Sequence, residues 1–108
     1  IGHNLSEPRL LTMDIACSEQ TSRADEAEGL LKAMAQAQRL TVLCCLRDGE
    51  QSSTAIAARA GWRLAAVSHH LGILRNAGIV SSRRSGRRII HTIESPVASR
   101  VLEALRAA

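Results

Sequence analysis

Two short amphipathic segments meet at a turn of three residues, Gly61-Trp62-Arg63. The apolar residues on either side of this turn recur at the spacing of a helix, and Ser52 or Ser53 supplies a helix cap for the first segment. The apolar positions are Ile56, Ala57 and Ala60 before the turn and Val67, Leu71 and Leu74 after it. Two helices joined by so short a turn containing glycine are typical of a helix-turn-helix.

The residues that follow change from a helical period to an alternating one. Segments 79–84 and 87–93 are rich in β-branched residues and flank Ser85-Gly86, which predicts a β-hairpin. Ser95-Pro96 then predicts the cap and first residue of a last helix. Upstream, the apolar spacing predicts helices at about 23–37 and 39–48. The second of these is apolar nearly all round, so we expect it to be buried.

The chain has 108 residues, enough for one domain. We expect residues 1–20 to form an N-terminal arm and residues 21–108 to form the domain. We also expect a second subunit to complete the core, because so small a monomer buries a low fraction of its surface. No apolar run long enough for a membrane helix occurs, and the N-terminus does not resemble a signal peptide, so we expect a cytoplasmic protein.

The charges are unevenly distributed, and the basic part of the chain favours an anionic partner. Residues 1–38 hold three basic and six acidic residues, whereas residues 39–108 hold eleven arginines and four acidic residues. The planar guanidinium group suits recognition of phosphate or carboxylate, although an arginine-rich codon bias gives the same pattern. Trp62 is the sole aromatic residue apart from histidine, which argues against a single-strand binder with stacking platforms.

The order helix, helix, helix-turn-helix, basic hairpin, helix is that of a winged helix-turn-helix, mainly α with a small β-hairpin. The segments Gln38–Glu50, Val67–Val80 and Arg83–Ile90 resemble, in this order, the second helix, the recognition helix and the wing of the ArsR/SmtB family of bacterial repressors. The resemblance covers about residues 24–106. It implies a homodimer built on the first and last helices that releases operator DNA when an inducer is sensed.

The DNA-contacting residues are expected on the exposed side of the recognition helix and in the wing. Val67, Leu71 and Leu74 point inward, so the polar residues off that line are left to meet the DNA. The candidates are Arg63, Ser68, His69, His70 and Arg75 on or before the helix, and Arg83, Arg84, Arg87 and Arg88 in the hairpin. Arg63 replaces the small capping residue usual in the family, which leaves this helix without a side-chain cap. The candidate dimer contacts are Leu30, Leu31, Met34, Val101, Leu102 and Leu105.

The inducer site is expected to involve cysteine. Neither metal site of the family can be assembled, because the third helix carries no thiol and the last helix no histidine, so we expect no metal site and no cofactor. Cys44 matches a cysteine of the family's redox- and persulfide-sensing branch, but the second cysteine of that branch is missing from the last helix. Its partner would be Cys45 or Cys17, and a disulfide between adjacent helical residues would be strained.

Other interpretations stay open. At least one of Cys44 and Cys45 fits a purely structural role in a buried helix equally well, since cysteine is among the most buried residues. All three cysteines together provide thiolates for arsenite or another soft ion. A helical interaction module without DNA would have no need of the wing arginines. An enzyme is disfavoured, because no Cys-x-x-Cys pair, phosphate loop or catalytic constellation is present.

Overall fold

The computed structural model describes residues 23–108. The predicted arm at residues 1–20, with Cys17, lies outside this range. The described helices are α1 over residues 23–34, α2 Ala37–Arg47, α3 Ser53–Ala60, α4 Leu64–Asn76 and α5 Pro96–Ala107. The strands are β1 Gln51–Ser52, β2 Val80–Ser85 and β3 Arg88–Ile93. The predicted order of helices and hairpin is confirmed, with β1 as an additional short strand.

The sheet has the strand order β1-β3-β2, and both pairs are antiparallel. Strand β1 contributes only two positions, where Gln51 lies opposite His91 and Ser52 opposite Ile90. The hairpin turn falls one residue later than predicted, because Ser85 still pairs with Arg88. Its two connecting residues are Gly86, with φ of 64°, and Arg87. Glycine at the first of two turn positions satisfies the positive φ that a tight hairpin requires.

The predicted caps are confirmed where the sequence supplied them. The Ser52 hydroxyl accepts from the Ala55 amide at 3.1 Å and starts α3, and the Ser95 hydroxyl accepts from the Ala98 amide at 3.1 Å and starts α5. Gly61 ends α3 in the left-handed conformation, with φ of 72°. Arg63 occupies the capping position just before α4 and provides no side-chain cap, as the sequence predicted. These local signals fix the ends of the helix-turn-helix.

A single apolar cluster joins α2, α3, α4, the sheet and α5. Its largest fully buried side chains are Leu43, Ile56, Leu71, Leu74, Ile79 and Leu102. Helix α2 is only half buried, which corrects the expectation of a buried helix: Val42, Leu43, Cys45 and Leu46 face the core, while Cys44 faces outward. Across residues 23–108, no helix is long and apolar enough to cross a membrane.

Candidate nucleic-acid interface

Helix α4 packs one face inward and leaves the other free. Val67, Leu71 and Leu74 are buried, as predicted. Ser68 and His69 are exposed one turn from the start of the helix, and Leu64 at its first position is half exposed. Arg63 precedes the helix and is also exposed. The first two turns of α4 therefore present a cation, an apolar side chain, a hydroxyl and an imidazole on one accessible surface, the part of a recognition helix that enters the major groove.

His70 points into the protein, which corrects the prediction that it contacts DNA. Its ring is 5% exposed, and its Nε2 donates to Oε1 of Gln38 at 2.8 Å. Its Nδ1 has no hydrogen-bond partner among the described residues. Burial, and then the charges of His69 and Arg39, lower the pKa of His70, so the ring is neutral near pH 7. His70 ties α4 to the beginning of α2 instead of reading bases.

Arg75 lies in the last turn of α4 and points toward the wing. Its Nη1 donates to the hydroxyl of Ser82 on β2 at 3.3 Å, and the residue is exposed. The structure thus places Arg75 between the end of α4 and the hairpin. It lies away from the first turns of α4, the part of a helix-turn-helix that reaches base edges.

The four wing arginines fall into two groups. Arg83 donates to Oε1 of Glu50 at 2.6 Å, so its charge is partly compensated within the protein. Arg84, Arg87 and Arg88 are exposed, and the described residues offer them no ion pair. Three uncompensated guanidinium groups at one hairpin tip repel one another and favour an anionic partner.

A groove of about 230 Å³ runs between the helix-turn-helix and the wing. Its lining combines hydroxyl groups from the start of α3 and from α4 with arginines of the wing. The lining residues are Ser52, Ser53, Thr54, Leu64, Ser68, Arg87, Arg88 and Ile89. Thr54 was not among the sequence candidates, because nothing in a helix-capping pattern shows which wall of a groove it will face. Such a lining offers several hydrogen-bond donors to a phosphate group.

The two described cysteines have different surroundings. Cys45 is buried in the core, and its carbonyl accepts from Gln51 Nε2 at 2.6 Å. Cys44 is exposed and lines an open, mostly apolar cleft of about 350 Å³ between α2 and α5. Its neighbours there are Leu40, Arg47, Leu102, Leu105 and Arg106. Both are free thiols, and adjacent helical residues point about 100° apart. The described residues contain no group of three or more possible metal ligands.

The candidate dimer residues separate into a core set and a surface set. Met34 and Leu102 are each 2% exposed and pack inside the protomer, which corrects their assignment to a subunit contact. Leu31 and Leu105 are half exposed, and Leu30 and Val101 are partly buried. Val97, also half exposed, joins Val101 and Leu105 at four-residue spacing along α5. This stripe leaves an apolar face of α5 uncovered in the protomer.

Comparison with known proteins places this arrangement in a family. The model of the bacterial regulatory proteins of the arsR family matches residues 36–82, from the start of α2 into the wing. The biofilm growth-associated repressor of Agrobacterium fabrum is 37% identical over 94 residues, which cover 87% of this chain and 80% of that repressor. The chain belongs to the arsR family. It is a transcriptional regulator of that family and not an enzyme, and the resemblance noted in the sequence is confirmed.

Solved structures of arsR-family proteins share the fold. Reduced HlyU from Vibrio cholerae is 34% identical, with a TM-score of 0.77 over 82% of this chain and 94% of that chain. The homodimeric winged helix-turn-helix DNA-binding domain Mb0332 from Mycobacterium bovis, a possible ArsR-family transcriptional regulator, is 30% identical, with a TM-score of 0.75 over 82% of each chain. The winged helix-turn-helix predicted from the sequence is confirmed.

Proposed function

We propose that this arsR-family regulator is a homodimeric repressor that binds double-stranded operator DNA through α4 and the wing. The observation that carries the proposal is the groove between them, which is lined by Ser53, Thr54 and Ser68 together with Arg87 and Arg88. Hydroxyl and guanidinium donors that line one groove match a DNA strand, whose phosphate oxygens accept hydrogen bonds. The name of the Agrobacterium fabrum relative, a repressor, supports the direction of regulation.

The homodimer would form through the uncovered face of α5. Val97, Val101 and Leu105 present it, and Leu31 of α1 offers a further exposed apolar side chain. Two copies related by a two-fold axis would bury this face and place two copies of α4 about one helical turn of DNA apart, as dimeric regulators of this kind require. The homodimeric Mb0332 domain supports this assembly.

The test is a mobility shift on the DNA upstream of the gene, repeated over a range of salt concentrations. We expect binding to be tighter than to a scrambled duplex and to weaken steeply as salt rises, because phosphate contacts release counterions. An affinity that barely depends on salt, or no preference for any upstream sequence, would favour the interaction module without DNA.

For the inducer, we propose that the thiol of Cys44 reacts with an oxidant or a reactive sulfur species and that this reaction releases the DNA. Two features of the site support it: Cys44 is exposed, and Arg47 and Arg106 line its cleft. An exposed thiol can be reached by such a reagent, and the guanidinium groups can bind an anionic one. The helix that carries Cys44 packs against both α4 and α5, and the Gln38–His70 hydrogen bond joins α2 to α4. A covalent change at Cys44 can therefore move the recognition helix.

The partner of Cys44 is best sought outside the described residues. Cys45 is buried and directed toward another side of α2, so it is a poor partner and better suited to a structural role. Cys17, from the same or the partner subunit, is the remaining cysteine. The arsenite alternative needs three thiolates around one ion, and burial of Cys45 weighs against it.

Intact mass spectrometry after separate exposure to peroxide, an organic persulfide and arsenite distinguishes these routes. A disulfide removes two hydrogens (about 2 Da), whereas insertion of a bridging sulfur adds about 30 Da net and a bound metalloid adds its own mass. Cys44→Ser should keep operator binding and lose every thiol response. Cys45→Ala is the matched control and should keep both. A Cys44→Ser variant that responds normally to all three reagents would leave Cys44 without a sensing role.

A further inference from the structure

A chain of hydrogen bonds passes through the buried ring of His91 and joins four elements of the domain. His91, on β3, is 3% exposed. Its Nε2 lies 2.6 Å from Oγ of Ser53, the first residue of α3, and its Nδ1 lies 2.7 Å from Oγ of Ser82 on β2. The same Ser82 oxygen accepts from Nη1 of Arg75 in the last turn of α4. The chain therefore links both helices of the helix-turn-helix to both long strands of the wing.

The direction of each hydrogen bond follows from the groups involved. A guanidinium group can only donate, so the Ser82 oxygen accepts from Arg75, and this contact polarises the Ser82 hydroxyl to donate its own hydrogen to Nδ1 of His91. Nδ1 then accepts, so Nε2 carries the ring hydrogen and donates to Ser53. Every hydrogen bond of the chain is satisfied with a neutral imidazole. Burial, and then the charge of Arg75, lower the pKa of His91, which keeps the ring in this state near pH 7.

We propose that His91 is a positioning residue for operator binding: through Ser82 and Ser53 it holds Arg75 and the wing in a fixed place relative to the helix-turn-helix. The inference rests on the proposed function of DNA binding. The recognition helix and the wing must contact one DNA strand at the same time, so an error in their relative placement costs affinity for the operator. Non-specific binding depends on charge alone and tolerates such an error.

Protonation of His91 would reverse the direction of the hydrogen bond between Nδ1 and Ser82. Nδ1–H would then donate to the Ser82 oxygen, which would face two cations, His91 and Arg75. Arg75 is the charged group that acts on His91 from α4; from α3 and β2 the ring faces the hydroxyls of Ser53 and Ser82, which do not titrate near neutrality. The side chain of its β1 partner, Gln51, is an amide and does not titrate either. Acidification below the pKa of His91 is therefore expected to loosen the link between α4 and the wing.

The experiment measures the affinity of the wild type and of the variants Ser82→Ala, His91→Leu and His91→Gln for an operator duplex and for a random duplex. Ser81→Ala is the matched control, since Ser81 precedes Ser82 on β2 and points to the other face of the sheet. We expect Ser82→Ala and His91→Leu to lower operator affinity about fivefold, as the loss of a hydrogen bond implies, and to change random-duplex affinity less than twofold. His91→Gln, which can both donate and accept, should restore most of the operator affinity.

A pH series and a melting temperature separate positioning from general stability. Between pH 7.5 and 5.5 the wild type should lose operator preference more steeply than His91→Gln, and the comparison isolates His91 because all other histidines are present in both proteins. The proposal would be overturned if the variants lost affinity equally for operator and random DNA, or if Ser82→Ala kept the operator affinity of the wild type. A lower melting temperature of His91→Leu would not rescue it. If the wild type itself shows no operator preference, the proposed function has failed and this inference falls with it.

Discussion

Removal of one uncompensated wing arginine should change the salt dependence of DNA binding by a predictable amount. Arg88 is exposed, lines the groove beside α4 and has no ion pair within residues 23–108. A dimer carries two copies of Arg88, so Arg88→Ala removes two phosphate contacts. The negative slope of log K against log salt should therefore become shallower by about 2. Between 50 and 200 mM salt, the wild type should then lose about tenfold more affinity than the variant.

The assay is fluorescence anisotropy with a labelled operator duplex and a labelled random duplex at five or more salt concentrations. Arg83→Ala is the internal comparison: its guanidinium is already bound to Glu50, so the slope should change less than in Arg88→Ala. Glu50→Gln tests the same point in reverse, because it frees Arg83 and should steepen the slope. The reasoning is refuted if Arg88→Ala leaves the slope unchanged, or if it weakens binding to the operator and not to random DNA.

At the uncovered face of α5, Leu105→Glu should give a folded monomer by analytical ultracentrifugation. Leu105 is half exposed in the protomer, so a charge there would be buried only in the dimer. A stable dimer of this variant would contradict the proposed interface. On the recognition helix, Ser68→Ala or His69→Ala should reduce discrimination between operator and random duplex by about 1–3 kcal/mol if a base contact is lost, and unchanged discrimination in both would place the reading surface elsewhere. His70 and His91 both have lowered pKa values in the folded protein, so their contribution to stability is complete above the unfolded pKa of about 6.5 and is lost as pH falls through the folded values. Urea unfolding should therefore give a lower free energy of unfolding at pH 5.5 than at pH 7.5, and the double variant His70→Gln/His91→Gln should flatten this difference.

The elements of this fold were predictable from the sequence because their signals are local. The caps at Ser52 and Ser95 and the terminator Gly61 each act within one turn of the residues that they fix. The wing followed from a change of hydrophobic period around a glycine. Strand β1 could not be predicted, since two residues carry no period and their pairing with β3 is set by tertiary structure.

The parts of the site that escaped prediction depend on contacts between distant residues. His70 lies near the edge of the apolar line of α4, and only the position of Gln38, thirty-two residues earlier, shows that it turns inward. The chain through His91 joins residues up to thirty-eight apart. Likewise, periodicity marked Met34 and Leu102 as apolar but could not show whether a protomer core or a partner subunit covers them.

Selection of binding sites from a random pool of duplex DNA tests the central claim most directly, because the protein itself then chooses the operator sequence. A homodimer that reads DNA with α4 and the wing should enrich an inverted repeat whose half-sites lie about one helical turn, or roughly 10 base pairs, apart. Ser68→Ala/His69→Ala should enrich it less, and Arg88→Ala should retain the same sequence with lower affinity. A pool that shows no enriched sequence after repeated rounds, or a single half-site without symmetry, would contradict the claim.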